Sequence, residues 1–252
     1  MKYIIANHKM NFNYATLKSF LKDLKKISKN SPNQVGVCVP FVYLDLAKKM
    51  LKGSNVWYGA QNMYYEDKGT FTGEVSATML NDFNCNTVVV GHSERRGIFG
   101  ETNADANKKL IQALKYNLTP IYCFGEVWEE REAKLTNKVI TKQLKEGLKN
   151  IPLEDAKKIV FAYEPVWAIS SGNGNFSRSA TVGDAQSAIK FIKKTLSKLY
   201  DTDYNFVVLY GGSLNPKNVN EILDCDEIDG GLIGGASLKI ETFKPLVDYK
   251  KQ

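Results

Sequence analysis

The sequence predicts an α/β fold, a closed (β/α)8 TIM-type barrel, and three observations carry that prediction. Eight short apolar runs recur along the 252 residues. Most are separated by a stretch with helical periodicity. The polar residues that could carry chemistry fall at the end of one run after another. Near-continuous apolar runs mark strands buried on both faces, as parallel strands covered by helices are. Eight strand–helix alternations over this length suit a barrel. A doubly wound open sheet is the alternative, but it usually needs fewer strands or a second domain. No linker-like stretch divides the chain, so one barrel domain over residues 1–252 is expected.

The first run is YIIAN, from Tyr3 to Asn7. The helix after it, ATLKSFLKDLKKI, places Leu17, Phe20, Leu21, Leu24 and Ile27 on one stripe. VGVCVP and VWYGAQ supply the second and third strands. The connection that follows, QNMYYEDKGTFTGEVS, is long for a compact barrel. TVVVG and TPIYCF are the fourth and fifth strands, with the helix NADANKKLIQALKY between them and Asn103 as its candidate N-cap. KIVFAYE is the sixth strand. The helix TVGDAQSAIKFIKKTLSKLY follows, with Thr181 as its candidate N-cap. FVVLY and DGGLIG complete the eight.

Composition excludes several classes. With 43% hydrophobic residues and plentiful aromatics, the chain has no disordered character. No apolar run approaches the ~18 residues of a membrane span. YIIAN is too short for a signal-peptide core, so no cleaved leader and no membrane partner are expected. The four cysteines, Cys38, Cys85, Cys123 and Cys225, form no CxxC and have no zinc spacing, which suits buried thiols in a reducing cytoplasm. The net charge of +7 could serve nucleic acid or steer anionic substrates. The lysines are spread over several helix faces without an aromatic platform, so no nucleic-acid partner is expected.

The strand ends hold the chemistry. Asn7 and Lys9 follow the first strand, Gln61 and Asn62 the third, His92 and Glu94 the fourth, and Glu126 the fifth. Glu164 closes the sixth strand. Gly211, Gly212 and Ser213 follow the seventh; Gly234 and Gly235 follow the eighth. In a parallel barrel these ends share one rim, where such barrels place their active sites. The paired glycine turns let backbone N–H groups approach an oxyanion, and a short helix starting at Ala236 or Ser237 would add its positive end. They predict a phosphate site. A carboxylate base, an imidazole donor and a fixed ammonium suit proton abstraction beside a carbonyl. Neither metal nor cofactor is required.

The motifs ANHKMN, GAQN, GTFTGEVS, VGHSERR, CFGE, AYEPVWAI, YGGSL and GGLIGGASL, in this order, make the chain resemble the triosephosphate isomerase family from end to end. The resemblance implies interconversion of dihydroxyacetone phosphate and D-glyceraldehyde 3-phosphate. It implies that His92 polarises the carbonyl, that Glu164 shuttles the proton, and that Lys9 and Asn7 bind substrate. Glu94 resembles the carboxylate beside that lysine. Ser213, Gly234 and Gly235 resemble the phosphate cradle. Cys123 matches a cysteine behind the site, and Tyr210 with Ser213 a receptor for a closed lid. Arg95 and Arg96 read as structural and interface charges. The long third connection resembles the family's loop that reaches into a second subunit, so the resemblance implies a homodimer, with Thr72 reaching the partner's site and Met63 as an apolar plug at the interface.

Two departures stand out. His8 occupies a position where the family has tryptophan, and reads as packing or surface. The lid after AYEPVWAI is longer, SSGNGNFSRSAT. Either Ser170 or Gly172 would supply its phosphate-binding amide, with Asn173 to Ser177 as the insertion. Such an extension adds only ~0.3 kcal/mol of closure entropy. Three functions compete: an active isomerase, a phosphate-ligand barrel with poor turnover, and a surface-binding protein whose positive charge holds nucleic acid or an acidic partner. The retained His92, Glu164 and Lys9 favour the first.

Overall fold

The computed structural model describes residues 1–169 and 180–251. Its strands are β1 (Tyr3–Asn7), β2 (Gln34–Val39), β3 (Trp57–Ala60), β4 (Thr87–Val90), β5 (Thr119–Phe124), β6 (Val160–Tyr163), β7 (Val208–Tyr210) and β8 (Gly230–Ile233). They close in sequence order, and the closing pair sets β1 beside β8 in parallel, Ile5 opposite Leu232. Each of the eight apolar runs contains one strand.

Among the described residues the helices are α1 (Tyr14–Ile27), α2 (Leu44–Leu51), α3 (Ala77–Asp82), α4 (Ser93–Phe99), α5 (Asn103–Lys115), α6 (Trp128–Glu132), α7 (Thr136–Gly147), α8 (Leu153–Ala156), α9 (Val182–Tyr200), α10 (Val219–Leu223) and α11 (Ile240–Val247). In α1 the buried residues are Leu17, Phe20, Leu21 and Leu24; Ile27, on the same stripe, is partly buried. Thr181 caps α9, its hydroxyl accepting from the Asp184 amide while the Asp184 carboxylate accepts from the Thr181 amide. The cap of α5 is Thr102, not Asn103. Thr102 and Asp105 form the reciprocal box, and Asn103 is the first helical residue. Hydroxyl and amide are both good caps; the carboxylate three residues after Thr102 decides between them.

Two apolar layers follow from strand alternation. Ile5, Cys38, Val89, Cys123, Ala162 and Leu209 fill the barrel interior. Their neighbours, such as Ile4, Val88, Tyr122, Phe161 and Tyr210, face outward under the helices. Met63 belongs to this outer layer and is 0% exposed within a single chain. The interface plug expected there is therefore corrected: a side chain with no exposed surface has nothing to offer a partner, and its flexible thioether fills the core instead. The rest of that connection is ordered on itself. Tyr64 stacks on Tyr65 at 4.2 Å, Phe71 lies 4.7 Å from Tyr64, and Thr72 is left exposed.

Candidate active site

Strand parity delivers most of the site. Ile5, Ala162, Leu209 and Leu232 point inward, so Asn7, Glu164, Gly211 and Gly234, two residues on, hold the inward register at the rim. Lys9 follows Asn7 by another two. With His92, Gly212, Ser213 and Gly235 these residues line one cavity of about 430 Å³. His92 needs a further device. Gly91 has φ 74°, a conformation that suits glycine, and a Cβ there would lie 2.9 Å from the Cys123 carbonyl oxygen. The chain thus leaves β4 sharply, and His92 becomes the N-cap of α4.

Glu164 is 1% exposed. Its Oε1 lies 2.9 Å from His92 Nε2, and its Oε2 accepts from the Ser93 amide at 2.8 Å. Burial alone would push this carboxyl up, but the His92 contact, the Ser93 amide and the Lys9 charge together hold it below the usual range. A Cβ on Gly211 would stand 2.8 Å from Glu164 Cγ, so a glycine is what gives the carboxylate its room.

Burial disfavours the His92 imidazolium, while the Glu164 and Glu94 carboxylates favour it and move the group upward. The hydrogen bonds identify the resting tautomer. Nδ1 accepts from the Glu94 amide at 3.2 Å, which only an unprotonated nitrogen can do, so the proton sits on Nε2 and is donated to Glu164. The upward pull comes chiefly from contact with Glu164 and would fall away once that carboxylate turns to another partner.

Lys9 is held from three sides. Its ammonium lies 2.7 Å from Glu94 Oε1, its amide donates to Asn7 Oδ1 at 3.1 Å, and its carbonyl accepts from Gln61 Nε2 at 3.0 Å. Its φ of 50° is left-handed, a strain of order 1–3 kcal/mol that these bonds hold in place. Opposite, the Gly235–Ser237 turn is a single 3-10 turn that begins at the cavity wall.

Other expected residues sit behind the cavity. Cys123 is fully buried, and burial raises its thiol well above the usual value, as suits a packing role. Tyr210 is buried in the outer layer, with its hydroxyl beneath Gly212. Glu126, expected at the rim, does not line the cavity. It is 0% exposed and accepts from the Tyr163 hydroxyl and, at 2.9 Å, from Trp167 Nε1. Arg96 donates to the Gly91 and Cys123 carbonyls, and Arg95 pairs with Glu101 at 2.6 Å. His8 packs between Phe12 and Phe20, with ring centroids 4.7 and 4.8 Å away. Among the described residues neither of its ring nitrogens has a hydrogen-bond partner; the Ser237 carbonyl lies near but forms no bond, and burial lowers the pKa to about 3. Ser170, Gly172 and the Asn173 to Ser177 insertion lie outside the described residues. Sequence reasoning missed the Ser93 amide and Lys239, which also lines the cavity. A backbone donor leaves no side-chain signal; Lys239 could have been found from its place beside GGASL.

A family-wide sequence model described as triosephosphate isomerase matches residues 2–250. The chain is 47% identical over 249 residues to the triosephosphate isomerase of Dictyoglomus thermophilum, covering 98% of each chain. It is 43% identical to that of Moorella thermoacetica, covering 98% of this chain and 97% of the relative. The crystal structure of triosephosphate isomerase from Bartonella henselae superposes with a TM-score of 0.88 at 32% identity, covering 98% of both chains.

Proposed function

The chain belongs to the triosephosphate isomerase family, and from that premise we propose that Glu164, His92 and Lys9 carry its reaction. The enzyme interconverts dihydroxyacetone phosphate and D-glyceraldehyde 3-phosphate through an enediolate, a step of glycolysis and gluconeogenesis. One observation supports the residue roles most: a buried carboxylate bonded to an imidazole lines the same cavity as two glycine turns.

The phosphate binds the amides around Ser213, Gly234 and Gly235, where glycine leaves the backbone bare. Asn7 and Lys9 hold the carbonyl and hydroxyl end. Glu164 exchanges its bond to His92 for the substrate carbon and takes a proton from it. The carbonyl bond opens to an enediolate, whose charge is met by His92 Nε2–H and the Lys9 ammonium. The hydroxyl proton passes from its oxygen to the former carbonyl oxygen by way of His92 Nε2, and Glu164 returns its proton to the former carbonyl carbon, so that the carbonyl re-forms on the neighbouring carbon. A neutral histidine at a helix N-terminus is the arrangement for which this family is itself the standard example. In His92 the Glu94 amide fills Nδ1 and leaves Nε2 as the donor. From the sequence, Ser170 or Gly172 is the candidate for a further phosphate-binding amide, and exclusion of water is the role expected of that segment. No cofactor takes part.

The protein acts as a homodimer in the cytoplasm. A second cavity of about 280 Å³ adjoins the first, lined by Lys9, Gln61, Glu94, Met10 and Phe99. Met10 and Phe99 are 96% and 67% exposed, an apolar rim that suits a partner's Thr72 loop. A coupled assay with D-glyceraldehyde 3-phosphate tests the reaction, with turnover expected from the chain alone. Retained turnover in Glu164→Gln would remove that residue from the mechanism.

A further inference from the structure

A cavity larger than the catalytic one lies on the opposite face of the barrel. It encloses about 890 Å³ beneath the N-terminal ends of β1 to β3, with Gln34 and Trp57, the first residues of β2 and β3, in its wall. Through Lys29 and the turn around Ser54 it runs into a second depression of about 520 Å³.

The two are lined by Lys22, Lys25, Lys26, Lys29, Lys48 and Lys52, and by no aspartate or glutamate among the described residues. One of the six, Lys26, has a carboxylate partner there, Asp23 at 3.2 Å. Lys25 and Lys48 donate instead to backbone carbonyls, of Lys52 at 2.5 Å and of Asp82 at 2.8 Å. Such a bond fixes an ammonium without neutralising it. The chain's whole net charge is +7, so one groove holds most of the excess.

Helix ends account for part of this. Lys25 and Lys26 stand in the last turn of α1, and Lys48 in that of α2, where cations meet the negative helix pole. Two helix ends amount to roughly one negative charge in all, against six ammoniums. Lys52 is the C-cap of α2 and Lys29 follows Ser28, the C-cap of α1, so of the six Lys22 alone lies away from a helix end; Lys22, Lys29 and Lys52 are exposed. Like charges held together repel, by ~0.5 kcal/mol for a pair ~8 Å apart in water, and a bound polyanion removes that cost.

We propose that this groove binds an anion built of linked phosphates. A single phosphate needs one or two ammoniums; six along two joined depressions match a row of charges. Lysine binds phosphate as a point charge, and among the described residues no arginine lines the groove to demand a planar bidentate partner. The exposed amides of Asn55 and Asn84 add polar groups to the wall, and Trp57 a ring face. The phosphate chain can be free inorganic polyphosphate or part of a nucleoside triphosphate.

The test is calorimetric titration of the full chain with inorganic tripolyphosphate, with saturating triose phosphate filling the catalytic cradle. One tripolyphosphate per chain is expected, with orthophosphate at least tenfold weaker. Lys29→Glu/Lys52→Glu should weaken tripolyphosphate at least tenfold and leave the KM for triose phosphate unchanged. Lys29→Gln/Lys52→Gln, a milder change at the same exposed positions, should weaken it in the same direction. Adenosine triphosphate binding no tighter than tripolyphosphate assigns the phosphate chain alone; tighter binding that Trp57→Ala abolishes assigns a nucleotide. Unchanged affinity in both double variants, or loss of binding when triose phosphate is present, would overturn the proposal.

Discussion

At the scale of single residues, position counts for more than charge. Glu164 must leave the Ser93 amide and His92 to reach a substrate carbon, and Glu164→Asp shortens that reach by one methylene. A misplacement of about 1 Å costs on the order of 100-fold in rate. Glu164→Asp should therefore lower kcat about that much with little change in KM, and near-normal turnover in a coupled assay would exclude it as the base. His92→Gln replaces the imidazole N–H aimed at the enediolate oxygen with a differently placed amide N–H that cannot pass on a proton, and should lower kcat by about 100- to 1,000-fold. His8 makes a different prediction. Its pKa is lowered by burial to about 3 in the folded chain, against about 6.5 when unfolded. A lowered folded value means stability is present in full above pH 6.5 and is lost as pH falls toward 3. At pH 5 the loss is about 2 kcal/mol. His8→Phe keeps the packing against Phe12 and Phe20 and removes the titration. It should stabilise the chain by about 2 kcal/mol more at pH 5 than at pH 8 in urea unfolding; equal effects at the two pH values would mean that the ring is already solvated. The sequence marked His8 as a departure, but only the aromatic cage around it says why it must stay neutral.

At the scale of elements, strands were legible because apolar runs between helices leave little choice of face. Short helices were harder. α4, α6 and α10 are five to seven residues long, too short for a periodic stripe. The tight turn at Gly91 that re-aims His92 depends on a positive φ, which any VVVG run conceals. The Thr102 cap was hidden beside Asn103 for a related reason: both residues cap helices well, and the partner at Asp105 was the cue. α9 shows what such a box is worth. Thr181 and Asp184 satisfy each other's amides, and Asp184 also takes Arg131 at 2.6 Å. Arg131 lies 4.3 Å from the Trp167 ring centroid, so the cap is joined to the segment that follows Glu164. Thr181→Ala should cost about 1 kcal/mol in unfolding free energy. A loss below about 0.3 kcal/mol would show that helix packing alone sets the N-terminus of α9. The lid insertion is read from sequence. Deleting Asn173 to Ser177 should change kcat modestly without a large rise in methylglyoxal; loss of activity would place those residues in the working lid.

At the scale of the whole molecule, the closed order of strands followed from counting alternations, since an eight-stranded parallel sheet of this length closes on itself. What the count could not supply was depth. Met63 read as an interface plug because the connection after β3 resembles a loop that reaches a second subunit, yet its first residues still lie under the helical layer. The surface evidence for assembly lies elsewhere. Met10, Val42, Ile98 and Phe99 are between 67% and 96% exposed, and Met10 and Phe99 border the cavity that holds Lys9. Apolar surface beside the lysine proposed to act on substrate is costly in water and would leave Lys9 open to solvent on that side. A second copy inserting its Thr72 loop would cover both, closing a symmetric interface of the commonest kind. Sedimentation at micromolar concentration should therefore give a species of about twice 28.3 kDa. Phe99→Glu places a charge in the interface and leaves the single-chain core untouched, because the side chain is already exposed. It should shift the protein toward monomer and lower kcat, with catalysis recovering as protein concentration is raised and dimer re-forms. A wild-type chain that sediments only at 28.3 kDa while turning over normally would mean that one barrel completes its own active site, and that the apolar rim serves another purpose.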